Sequence, residues 1–141
     1  MARYQDLLSG YAGLVDLKPE DLLATQEVVI EGLHIGFTVD GEEDSGDLVF
    51  FADLGKPAPT VPGDQLMRLL LQANAFWLGT GGCTLGLQPD SGHVLICGKL
   101  SVLTTDAVTL SHVVDGFADM ALLWRDVVEG KTRPDSFVIA A

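Results

Sequence analysis

Apolar residues recur at helical spacing over residues 2–16, where Tyr4, Leu7, Leu8, Tyr11, Leu14 and Val15 follow the i, i+3, i+4, i+7 pattern of an amphipathic helix that Gly10 and Gly13 weaken. Leu17-Lys18-Pro19-Glu20-Asp21 reads as a loop or a short helical turn, with Pro19 tolerated at a first helical position. From Glu27 the period drops to two. Val28, Ile30, Leu33, Ile35, Phe37 and Val39 alternate with Glu31, His34, Gly36 and Thr38, which predicts strands with a bend or bulge at Gly32. The acidic turn Asp40-Gly41-Glu42-Glu43-Asp44-Ser45-Gly46 leads into an antiparallel neighbour running from Asp47 to Leu54. Leu48, Val49, Phe50 and Phe51 are apolar on both parities, so this strand is expected to be covered on both faces.

The proline-rich stretch from Gly55 to Gly63 connects to a second helix starting near Asp64. Continued to residue 78, that helix places Leu66, Met67, Leu69, Leu70, Leu71, Ala73, Phe76, Trp77 and Leu78 on an apolar arc of about 220° at helical steps. One sheet face cannot cover an arc that wide, so a second subunit is expected over the remainder. Gly79-Thr80-Gly81-Gly82 stops the helix, and Cys83 to Leu87 with Val94 to Leu100 flank the turn Gln88-Pro89-Asp90-Ser91-Gly92 as a hairpin. If Gln88 pairs with His93, then Leu85, Leu87, Val94 and Ile96 share a face with Cys83, and Cys97 points the other way. A third helix, capped by Thr104 or Thr105, carries Leu110, Val113, Val114, Phe117, Ala121, Trp124 and Val128 in a stripe roughly 100° wide, which needs only the sheet as partner. Beyond Gly130 the tail, with Pro134 and Phe137-Val138-Ile139, is expected to fray or to dock.

The pattern therefore predicts one α+β domain over residues 1–141, ordered α-β-β-β-α-β-β-α, with helices packed on a twisted, mainly antiparallel sheet and a homodimer as the assembled form. Charge narrows the partners. Twenty acidic residues against eight basic ones give a formal charge of −12, which repels nucleic acid and anionic membranes. Mean hydropathy is nevertheless positive, at +0.31, as expected of a chain with surplus apolar surface for association. No apolar run reaches the length of a membrane helix, and Met1-Ala2-Arg3-Tyr4-Gln5-Asp6 lacks a signal-peptide core, so the cytoplasm is the expected location. Cys83 and Cys97, without a CxxC spacing, fit a reducing compartment.

Catalytic patterns are weak. His34, His93 and His112 have no ligand spacing, and Cys83 has no basic group placed by sequence to activate it. Gly79-Thr80-Gly81-Gly82 follows a helix and lacks the GK[ST] ending of a phosphate loop. The acidic turn lacks the ligand spacing of a calcium loop and reads as a solvated turn. No catalytic residue, metal site or cofactor is expected. Asn74, inside an apolar helix, must find hydrogen-bond partners, for which the backbone of an adjoining loop is the expected source.

Leu70-Leu71-Gln72-Ala73-Asn74-Ala75 running to Gly79-Thr80-Gly81-Gly82, the stretch Leu85-Gly86-Leu87-Gln88-Pro89-Asp90-Ser91-Gly92-His93-Val94, Leu100-Ser101, and Phe117-Ala118-Asp119-Met120-Ala121-Leu122-Leu123-Trp124-Arg125 resemble the C-terminal half of the class I type III secretion chaperones, the Tir chaperone (CesT-like) family. The N-terminal half matches in element order and in Asp53-Leu54-Gly55. The resemblance implies a bacterial virulence chaperone without ATPase activity that holds the N-terminal segment of a secreted effector extended. It implies dimerisation through the second helix, here Leu66, Leu69, Leu70, Ala73, Phe76 and Trp77. It also implies effector contacts from the first helix and sheet, here Leu7, Leu8, Tyr11 and Leu14 with Ile35, Phe37, Val49 and Phe51. The acidic surface suits basic effector segments or basic parts of the secretion apparatus. A dimeric α/β scaffold binding a folded regulator is the alternative; it would retain the partner's folded body, where a chaperone would protect an N-terminal fragment. An enzyme, the third option, would need a deep polar pocket.

Overall fold

The change from helical to alternating spacing falls where helix gives way to strand. The computed structural model describes residues 1–132; the tail segment Phe137-Val138-Ile139 lies outside them. Among the described residues the elements are α1 (Arg3–Leu14), α2 (Pro19–Thr25), β1 (Glu27–Ile30), β2 (Leu33–Asp40), β3 (Asp47–Gly55), α3 (Gly63–Asn74) with a 3-10 turn (Ala75–Trp77), β4 (Thr84–Leu87), β5 (Val94–Ser101) and α4 (Ala107–Val128). The fold is α+β in the expected order, with the turn at Pro19 developed into α2. The five strands form one sheet in the order β1-β2-β3-β5-β4, leaving β1 and β4 at its edges.

The described residues fall into two compact units, the first made of Met1–Phe51 with Lys99–Ala118 and the second of Ala52–Gly98 with the chain from Asp119 on. In the first unit β1 and β2 form a hairpin, Val28 opposite Ile35 and Ile30 opposite Leu33. Its two-residue turn puts both Glu31 and Gly32 at positive φ, 51° and 77°, the twist-matched geometry of tight hairpins. Tyr4, Leu8, Tyr11, Leu33, Ile35, Phe37, Leu48 and Phe50 are buried together with Leu110, Val114 and Phe117 of α4. Tyr11 meets Phe37 edge-on at 5.8 Å between ring centroids, and Phe50 meets Phe117 the same way at 4.9 Å.

The acidic turn has a structural task that its composition did not announce. Its Asp44 carboxylate accepts the Arg3 N–H (3.0 Å) and the Glu43 carbonyl accepts the Tyr4 N–H (2.9 Å), satisfying donors that the start of α1 leaves unpaired. α4 begins later than expected. Asp106, not Thr104 or Thr105, caps it by accepting the Thr109 N–H at 2.7 Å, and that bond holds the exposed Asp106 carboxyl below its usual range.

β3 is not covered on both faces. Leu48 and Phe50 are buried, whereas Val49 is half-buried and Phe51 is 40 % exposed, because both ring pairs above engage the other face. Phe51 lies over Gly36 of β2, where a Cβ would come within 2.5 Å of the ring.

In the second unit the β4–β5 hairpin has the predicted register, with Leu85 opposite Ile96, Leu87 opposite Val94, and Gln88 donating its N–H to His93. Leu85, Val94, Ile96 and Cys83 are buried, while Leu87 is exposed at the strand end. The two cysteines are free thiols. Trp124 donates its indole N–H to the Gly79 carbonyl (3.0 Å) and Thr80 donates its hydroxyl to the Cys83 carbonyl, fixing the glycine-rich turn.

The continuous helix expected to residue 78 is corrected: α3 ends at Asn74. Phe76 and Trp77 adopt left-handed backbone angles, φ 55° and 57°, which aromatic residues rarely take. The apolar arc is thereby split. Leu66, Leu69, Leu70 and Ala73 turn into the core of the unit, and Leu71, Phe76, Trp77 and Leu78 stand outside it.

Candidate functional site

The first unit carries an apolar groove at its strand edge. Because Phe37 donates its N–H to the Gln26 carbonyl at 2.8 Å, alternation makes Val28·Ile35 and Ile30·Leu33 the hydrogen-bonded pairs of the hairpin. The backbone groups of Glu27 and Val29 therefore point away from β2, toward an edge that no strand among the described residues pairs. Beside that edge lies a groove of about 300 Å³. Tyr11 and Val15 with the following Leu17 form one wall, Val28, Val29 and Ile30 of β1 the other, and Asp115 of α4 stands at the margin. Leu14, Leu17 and Val29 expose about half of their surface there or nearby, at 51 %, 42 % and 58 %.

Tyr11 is positioned by its buried ring contact with Phe37. Burial, and secondarily the charge of Asp115, pushes its hydroxyl up to about 12, so it is a neutral phenol at physiological pH. On the sheet face opposite the ring contacts, Val29, Val49 and Phe51 supply apolar surface, and His34 pairs with Glu27.

β4, the other edge strand, is closed. The alternation set by Gln88 and His93 turns the backbone of Leu85 outward, and the Asn74 side chain meets it there. Its Nδ2 donates to the Leu85 carbonyl at 2.8 Å and its Oδ1 accepts the Leu85 N–H at 2.9 Å. The amide thus takes the place a neighbouring strand would occupy; the partner it found is a strand edge, not the loop expected.

Of the eight residues expected to meet an effector, Leu7, Leu8, Tyr11, Ile35 and Phe37 are buried in the chain's own core, because α1 packs on the inner side of β2. Tyr11 alone of these five borders the groove. Leu14 and Phe51 are exposed and Val49 is half-buried. Of the six expected at a dimer interface, Leu66, Leu69, Leu70 and Ala73 are buried inside the second unit, so the surface they were assigned is already used. Phe76 and Trp77 are 84 % and 56 % exposed. Sequence reasoning missed Val28, Val29 and Ile30 as an edge, although three successive apolar residues in a short strand were the available signal. Nothing in the pattern singled out Asp115.

Thiol chemistry is disfavoured. Burial, with the neighbouring Cys97 a lesser cause, pushes the Cys83 thiol up to about 11, and burial raises Cys97 as well. His93 contacts the Asp53 carboxylate at 2.9 Å, both half-exposed. Among the described residues no group of three or more His, Cys, Asp or Glu side chains is arranged to hold a metal, and no helix is long and apolar enough to cross a membrane.

The model of the Tir chaperone protein (CesT) family matches residues 23–125. No curated protein matches the chain in sequence. Among solved structures, a chain of the ExsC–ExsE complex is similar with a TM-score of 0.72 at 16 % identity, covering 94 % of this chain and 100 % of that one. A chain of the HopA1–SchA chaperone–effector complex is similar at 0.69 and 18 % identity, covering 88 % and 94 %. The Yersinia pestis type III secretion chaperone SycH in complex with a stable fragment of YscM2 gives 0.63 at 22 % identity, covering 85 % and 98 %.

Proposed function

Because the chain belongs to the Tir chaperone protein (CesT) family, matched over residues 23–125, we propose that it is a type III secretion chaperone that holds the N-terminal segment of a secreted effector in an extended, secretion-competent path. The observation that carries this reading is the pairing of an open backbone edge at β1 with an apolar groove alongside it. An extended segment gains main-chain hydrogen bonds from such an edge and buries alternate side chains in the groove. Ordering the segment costs conformational entropy, and apolar burial along a preformed surface offsets it, so the work needs no ATP and no catalytic group. The HopA1–SchA structure, a chaperone–effector complex of the same fold, supports the reading.

The chain acts as a homodimer in the bacterial cytoplasm. Exposed Leu71, Phe76, Trp77 and Leu78 form the surface that the second copy covers, in place of the buried face of α3. Effector contacts fall on Leu14, Val29, Val49 and Phe51 and on the groove residues.

Co-expression with a candidate effector, followed by limited proteolysis and mass analysis, tests the proposal. An N-terminal effector fragment protected only in the complex is the expected result. Co-purification that requires the effector's folded body, with no protected N-terminal fragment, overturns it.

A further inference from the structure

Resting on the reading of β1 as the docking edge, we propose that the groove beside it selects a segment with an arginine or lysine at one fixed position, whose aliphatic stem lies along Val15 and Ile30 and whose cationic head meets Asp115. Register comes first. A strand added to β1 bonds to the outward backbone groups of Val29, so the residue opposite Val29 shares Val29's face. The residues on either side of it, opposite Val28 and Ile30, then point to the face on which Val28 is buried and Ile30 half-buried, the face that lines the groove.

The chemistry of the walls decides what enters. Five of the seven lining residues are aliphatic, which suits a methylene stem, but the groove also holds a carboxylate and a phenol. Among the described residues Asp115 has no ion-pair partner and the Tyr11 hydroxyl has no hydrogen bond. A purely apolar side chain would strip water from the exposed Asp115 carboxylate and give nothing back, a cost that counts against it. A cation on a long apolar stem instead offers donors to the carboxylate while burying its methylenes. The chain's charge of −12 adds a long-range preference of the same sign.

Phage-displayed random 12-residue peptides selected on the purified wild-type chain, and in parallel on Asp115→Lys, provide the test. Wild type is expected to enrich Arg or Lys at one position among alternating apolar residues, and Asp115→Lys to lose that enrichment in favour of Asp or Glu. A synthetic copy of a selected peptide with its cation changed to norleucine should bind wild type roughly five- to tenfold more weakly, the scale of one charge-assisted contact at a partly exposed site. It should lose nothing more on Asp115→Asn. Asp115 is exposed on the surface of α4, so both variants keep the fold, verified by circular dichroism. Peptides enriched without a cation, or a norleucine penalty undiminished in Asp115→Asn, overturn the proposal while leaving the chaperone reading intact. Failure of any peptide to bind overturns both.

Discussion

Asn74→Ala isolates the contribution of a side chain that closes a sheet edge. The amide makes two hydrogen bonds to the Leu85 backbone, of 2.8 and 2.9 Å, and both ends are part-buried. A neutral hydrogen bond contributes about 1 kcal/mol net, so losing both costs about 2 kcal/mol, with water reaching the freed groups at the strand edge. At this chain length 1 kcal/mol corresponds to roughly 3 °C in Tm, giving a fall of about 6 °C. Urea and thermal unfolding at one fixed protein concentration measure it, since association would otherwise shift the midpoint. Asn74→Asp sharpens the test. Its carboxylate can still accept the Leu85 N–H, but the second oxygen would face the Leu85 carbonyl, so at neutral pH it should be no more stable than the alanine variant. That apposition raises the folded-state pKa of the new carboxyl above its unfolded value, so the variant recovers stability as pH falls through the carboxylate range, when protonation restores a donor. The opened edge should also raise the scattering mass at high concentration. An alanine variant within about 0.5 kcal/mol of wild type, the usual scatter of surface substitutions, or an aspartate variant equal to wild type at pH 7, would refute the reasoning.

Two further outcomes follow from burial. Phe76→Asp should halve the mass in light scattering and leave the circular dichroism spectrum unchanged, whereas Leu69→Asp, at a 6 % exposed core position, should unfold or aggregate the chain; a Phe76→Asp protein with unchanged dimer mass places the self-contact elsewhere. Stability should fall on the alkaline side, because burial pushes Cys83 from 9.0 up to about 11 and Tyr4 and Tyr11 from 10.0 up to about 12. The unfolded chain releases these protons first, so the stabilisation is complete below about pH 9 and is lost progressively toward pH 12; a urea midpoint that stays flat from pH 8 to 11.5 contradicts this.

Period was the reliable signal in the sequence. The hairpin register at Leu85 and Ile96 followed from one turn assignment, and the stripe on α4 followed from helical arithmetic, because both depend on local geometry alone. The break at Phe76 was illegible, since neither glycine nor proline marks it and helical spacing continues through Leu78. β3 misled for a different reason: Val49 and Phe51 are apolar yet face outward, and composition cannot distinguish a residue buried by its own chain from one kept exposed. The same ambiguity moved Leu7, Leu8, Ile35 and Phe37 from an expected binding surface into the core. Asp115 and Tyr11 meet only through tertiary structure, which no sequence spacing of 104 positions announces.

The two edges of the sheet and the α3 terminus point to one economy of surface. An unpaired strand edge is an aggregation hazard, and this chain removes one of its two with a single amide. Among the described residues β1 stays unpaired on its outer side, next to the apolar walls of the groove. At Phe76 and Trp77 the chain holds two aromatics in a left-handed backbone, at about 1–3 kcal/mol of strain each, and leaves their rings in water. Neither feature stabilises an isolated subunit, because the turn carries backbone strain with its rings exposed and the β1 edge leaves backbone groups to water. On the proposed function, both are offset when a partner supplies hydrogen bonds at Val29 and apolar contact at Phe76. Because Asn74 occupies the outward backbone groups of Leu85, the proposed strand addition has β1 as its available edge.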